Sequence, residues 1–185
     1  ELSDEYRKQK SDWWEQYQGY LQSTQAASGV EEALESYKQA IRINPDDAVA
    51  RFNLGVGYSA LGMYKEAIEA FKQTIMIDPD LPQVHSNLGF AYLNLYMYEE
   101  AIEAYKQAIR INPDDAVAHD NLGSVYSKSG MYKEAIEAHK NAIRIDPDVA
   151  NAHYNLGNAY RRSNMYKKAI ESYKQAIRID PDFAR

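Results

Sequence analysis

Three histidines, His85, His119 and His153, stand 34 residues apart, and imidazole is the side chain best suited to zinc binding or proton transfer near neutral pH. If each lies on its own helix, neighbouring rings are about 10 Å apart, too far to share one ion. A fourth, His139, is the candidate companion of His119: an antiparallel pairing of the helices carrying them would bring the two rings together. Two packed rings filling a site otherwise aromatic is the reading taken, over a metal or pH-responsive pair. The aspartates cluster beside prolines, as in Asp46, Asp47, Asp78, Asp80, Asp114, Asp115, Asp146 and Asp148. There they can cap helices, whereas a calcium loop would need a dense twelve-residue ligand pattern that is absent. No glycine-rich phosphate loop, HExxH motif or nucleophile elbow occurs, and the chain has no cysteine. The expectation is a protein that is not an enzyme and carries no cofactor or metal. One polar residue remains without a use: the asparagine of Asn53-Leu54-Gly55, Asn87-Leu88-Gly89, Asn121-Leu122-Gly123 and Asn155-Leu156-Gly157.

Helices must position these residues, because the apolar pattern is helical. Ala101, Tyr105, Ala108 and Ile109 fall at i, i+4, i+7 and i+8, one face of a 3.6-residue period. Prolines at 45, 79, 113, 147 and 181 and alanines at 33, 67, 101, 135 and 169 share the 34-residue spacing, the signature of a solenoid made from one repeated unit. "YKQAIRINPDDAVA" occurs identically at 37–50 and 105–118, consistent with recent duplication or deliberate idealisation. Each unit predicts a first helix, A, over 48–60, 82–94, 116–128 and 150–162. A second, B, is predicted over 64–78, 98–112, 132–146 and 166–180. Proline ends helix B by pushing the preceding residue out of helical geometry. Gly55, Gly89, Gly123 and Gly157 fall mid-helix, a cost of about 1 kcal/mol each against alanine. Close approach of helix B at Ala67, Ala101, Ala135 and Ala169 is the expected reason.

Composition limits the partners. A formal net charge of −6 disfavours nucleic acid, whose phosphates need a basic surface. No apolar run approaches the roughly 20 residues that span a bilayer, so no membrane partner is expected. The absence of a signal peptide leaves a cytoplasmic location as the expectation. The start at Glu1 rather than Met points to a processed or excised chain.

The large residue at position 4, Leu at 7, Gly at 8, Tyr at 11, Ala at 20, aromatic at 24, Ala at 27 and Pro at 32 of each unit resemble the tetratricopeptide repeat. Units at 48–81, 82–115, 116–149 and 150–183 match it, with Arg51 at position 4 and Thr74 at position 27 departing from it. Residues 1–13 read as a charged extension and 14–47 as a degenerate first unit. "WWEQYQGYL" fits that unit in two registers that stay open. Residues 184–185 begin a truncated further unit, which would leave Ile170, Tyr173 and Ile177 partly uncovered and favour end-to-end self-association through the uncapped last helix. The resemblance implies an all-α, right-handed superhelical solenoid of antiparallel helix pairs, about five in tandem, that binds proteins or peptides on the concave face of helices A.

At 100° per residue, position 6 lies 200° from the glycine at position 8, so the asparagines face away from their own helix B. Helix B and the turns are nearly copied between units, while the residues on this face change. Phe52 and Asn53 come from the unit at 48–81, Asn87, Phe90 and Asn94 from the next, and Asn121 and Lys128 from the one after. Tyr154, Asn155, Asn158, Arg161 and Arg162 come from the last. Apolar residues thus favour the early units and cations the late ones. An amide both donates and accepts, matching a peptide backbone whatever its sequence. Helices about 10 Å apart and a strand rise of about 3.3 Å would set one asparagine against every third residue. Such a ladder is similar to that of glycosyltransferases whose tetratricopeptide superhelices hold extended segments; an asparagine merely common in the repeat is the plain alternative. The family's chaperone-carboxylate clamp is absent, since position 5 holds Phe52, Ser86, Asp120 and Tyr154 and no unit has Lys at position 2. An idealised array without a natural ligand, and a recognition arm excised from a larger enzyme, remain the competing readings.

Overall fold

The computed structural model of the chain describes residues 29–184. The charged extension, the first helix A of the degenerate unit with its two registers, and Arg185 lie outside them. Helix α1 covers described residues 29–43. It is followed by α2 (Ala48–Ala60), α3 (Tyr64–Ile77), α4 (Pro82–Asn94), α5 (Tyr98–Ile111), α6 (Ala116–Lys128), α7 (Tyr132–Ile145), α8 (Ala150–Arg162), α9 (Tyr166–Ile179) and a 3-10 turn at Pro181–Ala184. The expected bounds of α2, α4, α6 and α8 agree with the structure, while each helix B stops one residue sooner than expected.

Local chemistry sets these ends. After α2, α4, α6 and α8 the chain enters the left-handed region at Gly62 (φ 72°), Tyr96 (φ 60°), Gly130 (φ 82°) and Asn164 (φ 59°). The amide of the following residue returns to the carbonyl five back, as in Met63 N–H to Tyr58 at 2.9 Å and Met131 to Tyr126 at 2.8 Å, a Schellman closure. The turns after helix B are pinned by their first side chain: Asp78, Asp146 and Asp180 accept from the amides of Asp80, Asp148 and Asp182 at 3.3, 3.1 and 3.0 Å. Of the expected aspartate caps, Asp47 and Asp115 accept from Ala50 and Ala118 at 2.8 and 3.0 Å. The helices α4 and α8 instead start behind Leu81 and Val149, which have no capping side chain.

Consecutive helices pack antiparallel along the chain, each helix A against its own helix B and against the unit before. The core is a repeated set. Leu88, Leu122 and Leu156, with Ala101, Ala135 and Ala169, are buried in successive units, and Tyr105, Phe71 and His139 are the largest fully buried side chains. Those three share position 24, which corrects the expected contact of the mid-helix glycine. A β-carbon at Gly55, Gly89, Gly123 or Gly157 would stand 2.5 to 2.8 Å from the ring of Phe71, Tyr105, His139 or Tyr173, respectively. The glycine admits the ring at position 24, which supplies the nearest atoms that a β-carbon there would meet. The antiparallel register therefore sets 8 against 24, and the expected meeting of His119 with His139 does not occur.

Position 4 has another use. Nε2 of His85, His119 and His153 lies 3.0, 3.1 and 3.0 Å from the carbonyls of Pro79, Pro113 and Pro147, so each imidazole donates an N–H to the turn before its helix. Arg51 does the same, donating from Nε and Nη2 to the Pro45 carbonyl at 3.0 and 2.7 Å, and also pairs with Gln73. The other departure from the family pattern, Thr74, is fully buried and donates its hydroxyl to the Ala70 carbonyl at 2.9 Å.

Candidate binding surface

The inner face of α2, α4, α6 and α8 carries the varying residues, and its four asparagines are all half-buried. They are not equivalent. Asn87 donates to the Gln83 carbonyl of its own helix at 2.9 Å, as Asn94 does to Phe90 at 2.8 Å. Asn155 reaches across to α6, donating to Asp120 Oδ2 at 3.0 Å. Asn53 and Asn121 have no side-chain hydrogen bond among the described residues. The amide of Asn155, spanning from α8 to α6, looks along the row of helices A rather than toward its own helix B.

Position 5, placed on the same face by sequence, turns instead toward the ring at position 24. Phe52 lies on Phe71 with ring centres 5.9 Å apart, and Tyr154 lies on Tyr173 at 5.7 Å. Asp120 Oδ1 is 2.6 Å from His139 Nδ1. Phe52 is half-buried in that contact, whereas Tyr154 keeps 42% of its surface exposed. Asp120 thus bridges His139 of its own unit and Asn155 of the next. His139 Nε2 is buried with no hydrogen-bond partner among the described residues, and the ring is held there by its other nitrogen.

Phe90 is exposed on α4 and meets the edge of Tyr64 at 6.2 Å. Two units further along, the same two positions hold Tyr132 and Asn158. Both belong to an open depression of about 560 Å³ lined by Ser127, Lys128, Tyr132, Tyr154, Asn158, Arg161 and Arg162. It gathers five of the residues expected at the late, cationic end. The structure does not bring Phe52 or Asn53 to it. Ser127 and Tyr132 escaped sequence reasoning because tyrosines at position 17 were read as packing; the recurrence of Tyr64, Tyr98, Tyr132 and Tyr166 at that position was the available signal. A second depression, of about 470 Å³, lies between α5 and α7 over α6, and its two lysines, Lys106 and Lys133, are balanced by Glu134 and Glu137.

Among the described residues no group of three or more His, Cys, Asp or Glu could hold a metal ion, and no helix is long and apolar enough to cross a membrane. Burial pushes the Tyr105 phenol well above the ordinary tyrosine range. The paired acid Glu35 is lowered, and its partner Lys38 raised, by their mutual hydrogen bond at 2.7 Å.

The geometry defines a class first: an all-α helical-repeat solenoid that offers a continuous side-chain surface rather than an enclosed reaction centre. The sequence matches the family model "Tetratricopeptide repeat" over residues 150–183 and "TPR repeat" over 30–62, 57–95, 97–130 and 123–164. The chain belongs to the tetratricopeptide repeat family, and is a scaffold for protein–protein interaction. Among solved structures it is similar to MamA, at 27% identity and TM-score 0.80 over 88% of this chain and 95% of that one. YrrB, described as "a TPR protein with an unusual peptide-binding site", is 28% identical with TM-score 0.73 over 85% of this chain and 81% of its own. A MamA fragment from Desulfovibrio magneticus RS-1 shares the fold at 24% identity and TM-score 0.79, over 91% and 95% of the two chains. No curated protein matches the chain in sequence.

Proposed function

We propose that this protein binds an extended polypeptide segment along the inner face of α2, α4, α6 and α8, with asparagines at position 6 as hydrogen-bonding rungs. The observation that carries the reading is the pair Asn53 and Asn121, half-buried amides with no partner among the described residues. Half-buried amides retain hydrogen-bonding capacity that a backbone can satisfy. The likeness to YrrB, whose description names a peptide-binding site, supports the same class of ligand. Asn87 can join only by leaving the Gln83 carbonyl, and Asn155 only by releasing Asp120, so the ladder is uneven. The test is a peptide-array screen followed by fluorescence polarisation of a selected segment. Asn53→Ala with Asn121→Ala removes two hydrogen bonds worth about 0.5–1.5 kcal/mol each, weakening binding roughly 5- to 150-fold. Unchanged affinity in a variant of intact helicity refutes the ladder.

A second interaction is favoured by one contrast on helix B. Ile136 of α7, covered by α8, is 7% exposed, while its counterpart Ile170 of α9 is 54% exposed. This face is shaped for a helix A, and end-to-end association between copies would supply one. A mass that stays monomeric up to high concentration, by light scattering, overturns this.

A further inference from the structure

The depression between α6 and α8 differs from the rest of the surface in the sign of its chemistry. Lys128, Arg161 and Arg162 line it, with no Asp or Glu among its lining residues, in a chain of net charge −6. None of the three cations forms an ion pair or a side-chain hydrogen bond among the described residues. Asn158 adds to the bias: its Oδ1 accepts from the Tyr173 hydroxyl at 2.9 Å, so the amide turns its N–H₂ donors away from that contact. The polar groups available here are donors, and several donors around one cavity select a ligand rich in anionic acceptors.

Beyond Asn158 and Arg161 the surface changes character. These two residues and Tyr154 also border a neighbouring depression whose other walls are Tyr173, Ala176 and Ile177. A cationic pocket is therefore continuous with an apolar one. The cations also lie in the last turns of α6 and α8, where they suit the helix dipole, but that role does not require the acid-free lining or the adjoining apolar wall.

We infer that this end of the inner face captures an acidic protein segment, a run of carboxylate side chains adjoining a large apolar residue that settles against Tyr173 and Ile177. The inference rests on the proposal that the inner face is the binding surface, and it names the chemistry of the segment at one end. Charge complementarity identifies the occupant: three cations call for two or three carboxylates, and the protein's overall negative charge repels a long polyanion such as nucleic acid elsewhere on its surface.

The probe is a fluorescein-labelled peptide with three consecutive glutamates beside two leucines, measured by fluorescence polarisation against the whole chain. Replacing its glutamates by glutamine, or using Arg161→Gln with Arg162→Gln, is expected to weaken binding at least tenfold, and so is raising the salt from low to molar concentration. Replacing its leucines by serine, or Ile177→Ser in the protein, is expected to weaken it severalfold. The exchanged pair, Arg161→Glu with Arg162→Glu against a lysine version of the peptide, is expected to restore binding. Equal affinity for the glutamate and glutamine peptides overturns the inference, as does a single-stranded oligonucleotide that binds these cations more tightly than the peptide. If the acidic peptide fails while a neutral segment binds in an Asn53- and Asn121-dependent way, the anionic end falls and the inner-face reading stands.

Discussion

The bridge from His139 through Asp120 to Asn155 allows a prediction with its own internal control. His139 is fully buried, and its Nδ1 lies 2.6 Å from Asp120. With Nε2 already unpartnered, Asp120→Ser leaves the ring short of both partners. An unsatisfied buried donor costs about 1–3 kcal/mol, and the lost Asn155 bond about 1 kcal/mol more. The single substitution should therefore destabilise by roughly 2–4 kcal/mol. His139→Tyr alone leaves the Asp120 carboxylate half-buried without its partner, a cost of similar size. Thirty-four residues earlier the same two places hold Ser86 and Tyr105, and the ring of Tyr105 sits under Gly89 as His139 sits under Gly123. The double variant transplants a pair the fold already accommodates. It should recover to within about 1 kcal/mol of the native chain, so that two single costs of about 4–8 kcal/mol together fail to add by about 3 kcal/mol or more in the double-mutant cycle. Urea unfolding by circular dichroism measures it. Because repeat arrays can depart from two-state behaviour, hydrogen exchange in α6, α7 and α8 should accompany it. Additivity within about 0.5 kcal/mol would refute the claim that these residues act as a unit.

Tyr96 occupies a left-handed turn (φ 60°) and is 77% exposed. Tyr96→Gly should raise stability by about 0.5–1 kcal/mol after loss of its edge contact with Tyr98, seen as a higher urea midpoint. Burial raises the Tyr105 phenol, so its contribution to stability is complete below the ordinary tyrosine value near 10 and is lost as pH rises beyond it, by up to about 1.4 kcal/mol per pH unit. Tyr105→Phe should flatten this alkaline loss in melts between pH 9 and 11. Ile136→Lys buries a charge between α7 and α8 and should cost about 3 kcal/mol or more. Ile170→Lys, at the 54% exposed counterpart, should stay within about 0.5 kcal/mol as a monomer and abolish any end-to-end association detected by light scattering.

The fold was legible because the repeat makes one pattern testify four times. Proline at 34-residue intervals fixes where each helix B stops, and the apolar period fixes which face is buried; neither needs tertiary information. The pairing register did need it. A mid-helix glycine signals close approach, but not which opposing side chain approaches, and alanine at position 20 was the natural guess because it is small. The structure seats the large ring of position 24 there, a choice made by how far one helix slides along the other. The same slide moved His139 from His119 to Asp120 and gave His119 to the Pro113 carbonyl.

On the inner face, sequence identified the variable positions but not their mutual claims on one another. Position 6 looks uniform in the sequence, yet its asparagines fall into three arrangements: Asn87 on a carbonyl of its own helix, Asn155 across on Asp120, and Asn53 and Asn121 without a side-chain hydrogen bond among the described residues. Where position 5 of α6 is Asp120, Asn155 is drawn across to it; where it is Phe52 or Ser86, no carboxylate competes. One substitution at position 5 therefore engages the neighbouring rung, while the cations of the adjoining groove have no ion pair among the described residues. Asp120→Ser, tested in the presence of His139→Tyr so that the core stays intact, should free Asn155 for a backbone while the acidic peptide still binds. If the acidic peptide instead loses its affinity in that double variant, the cations depend on Asp120 for their arrangement and not merely on its absence from the groove.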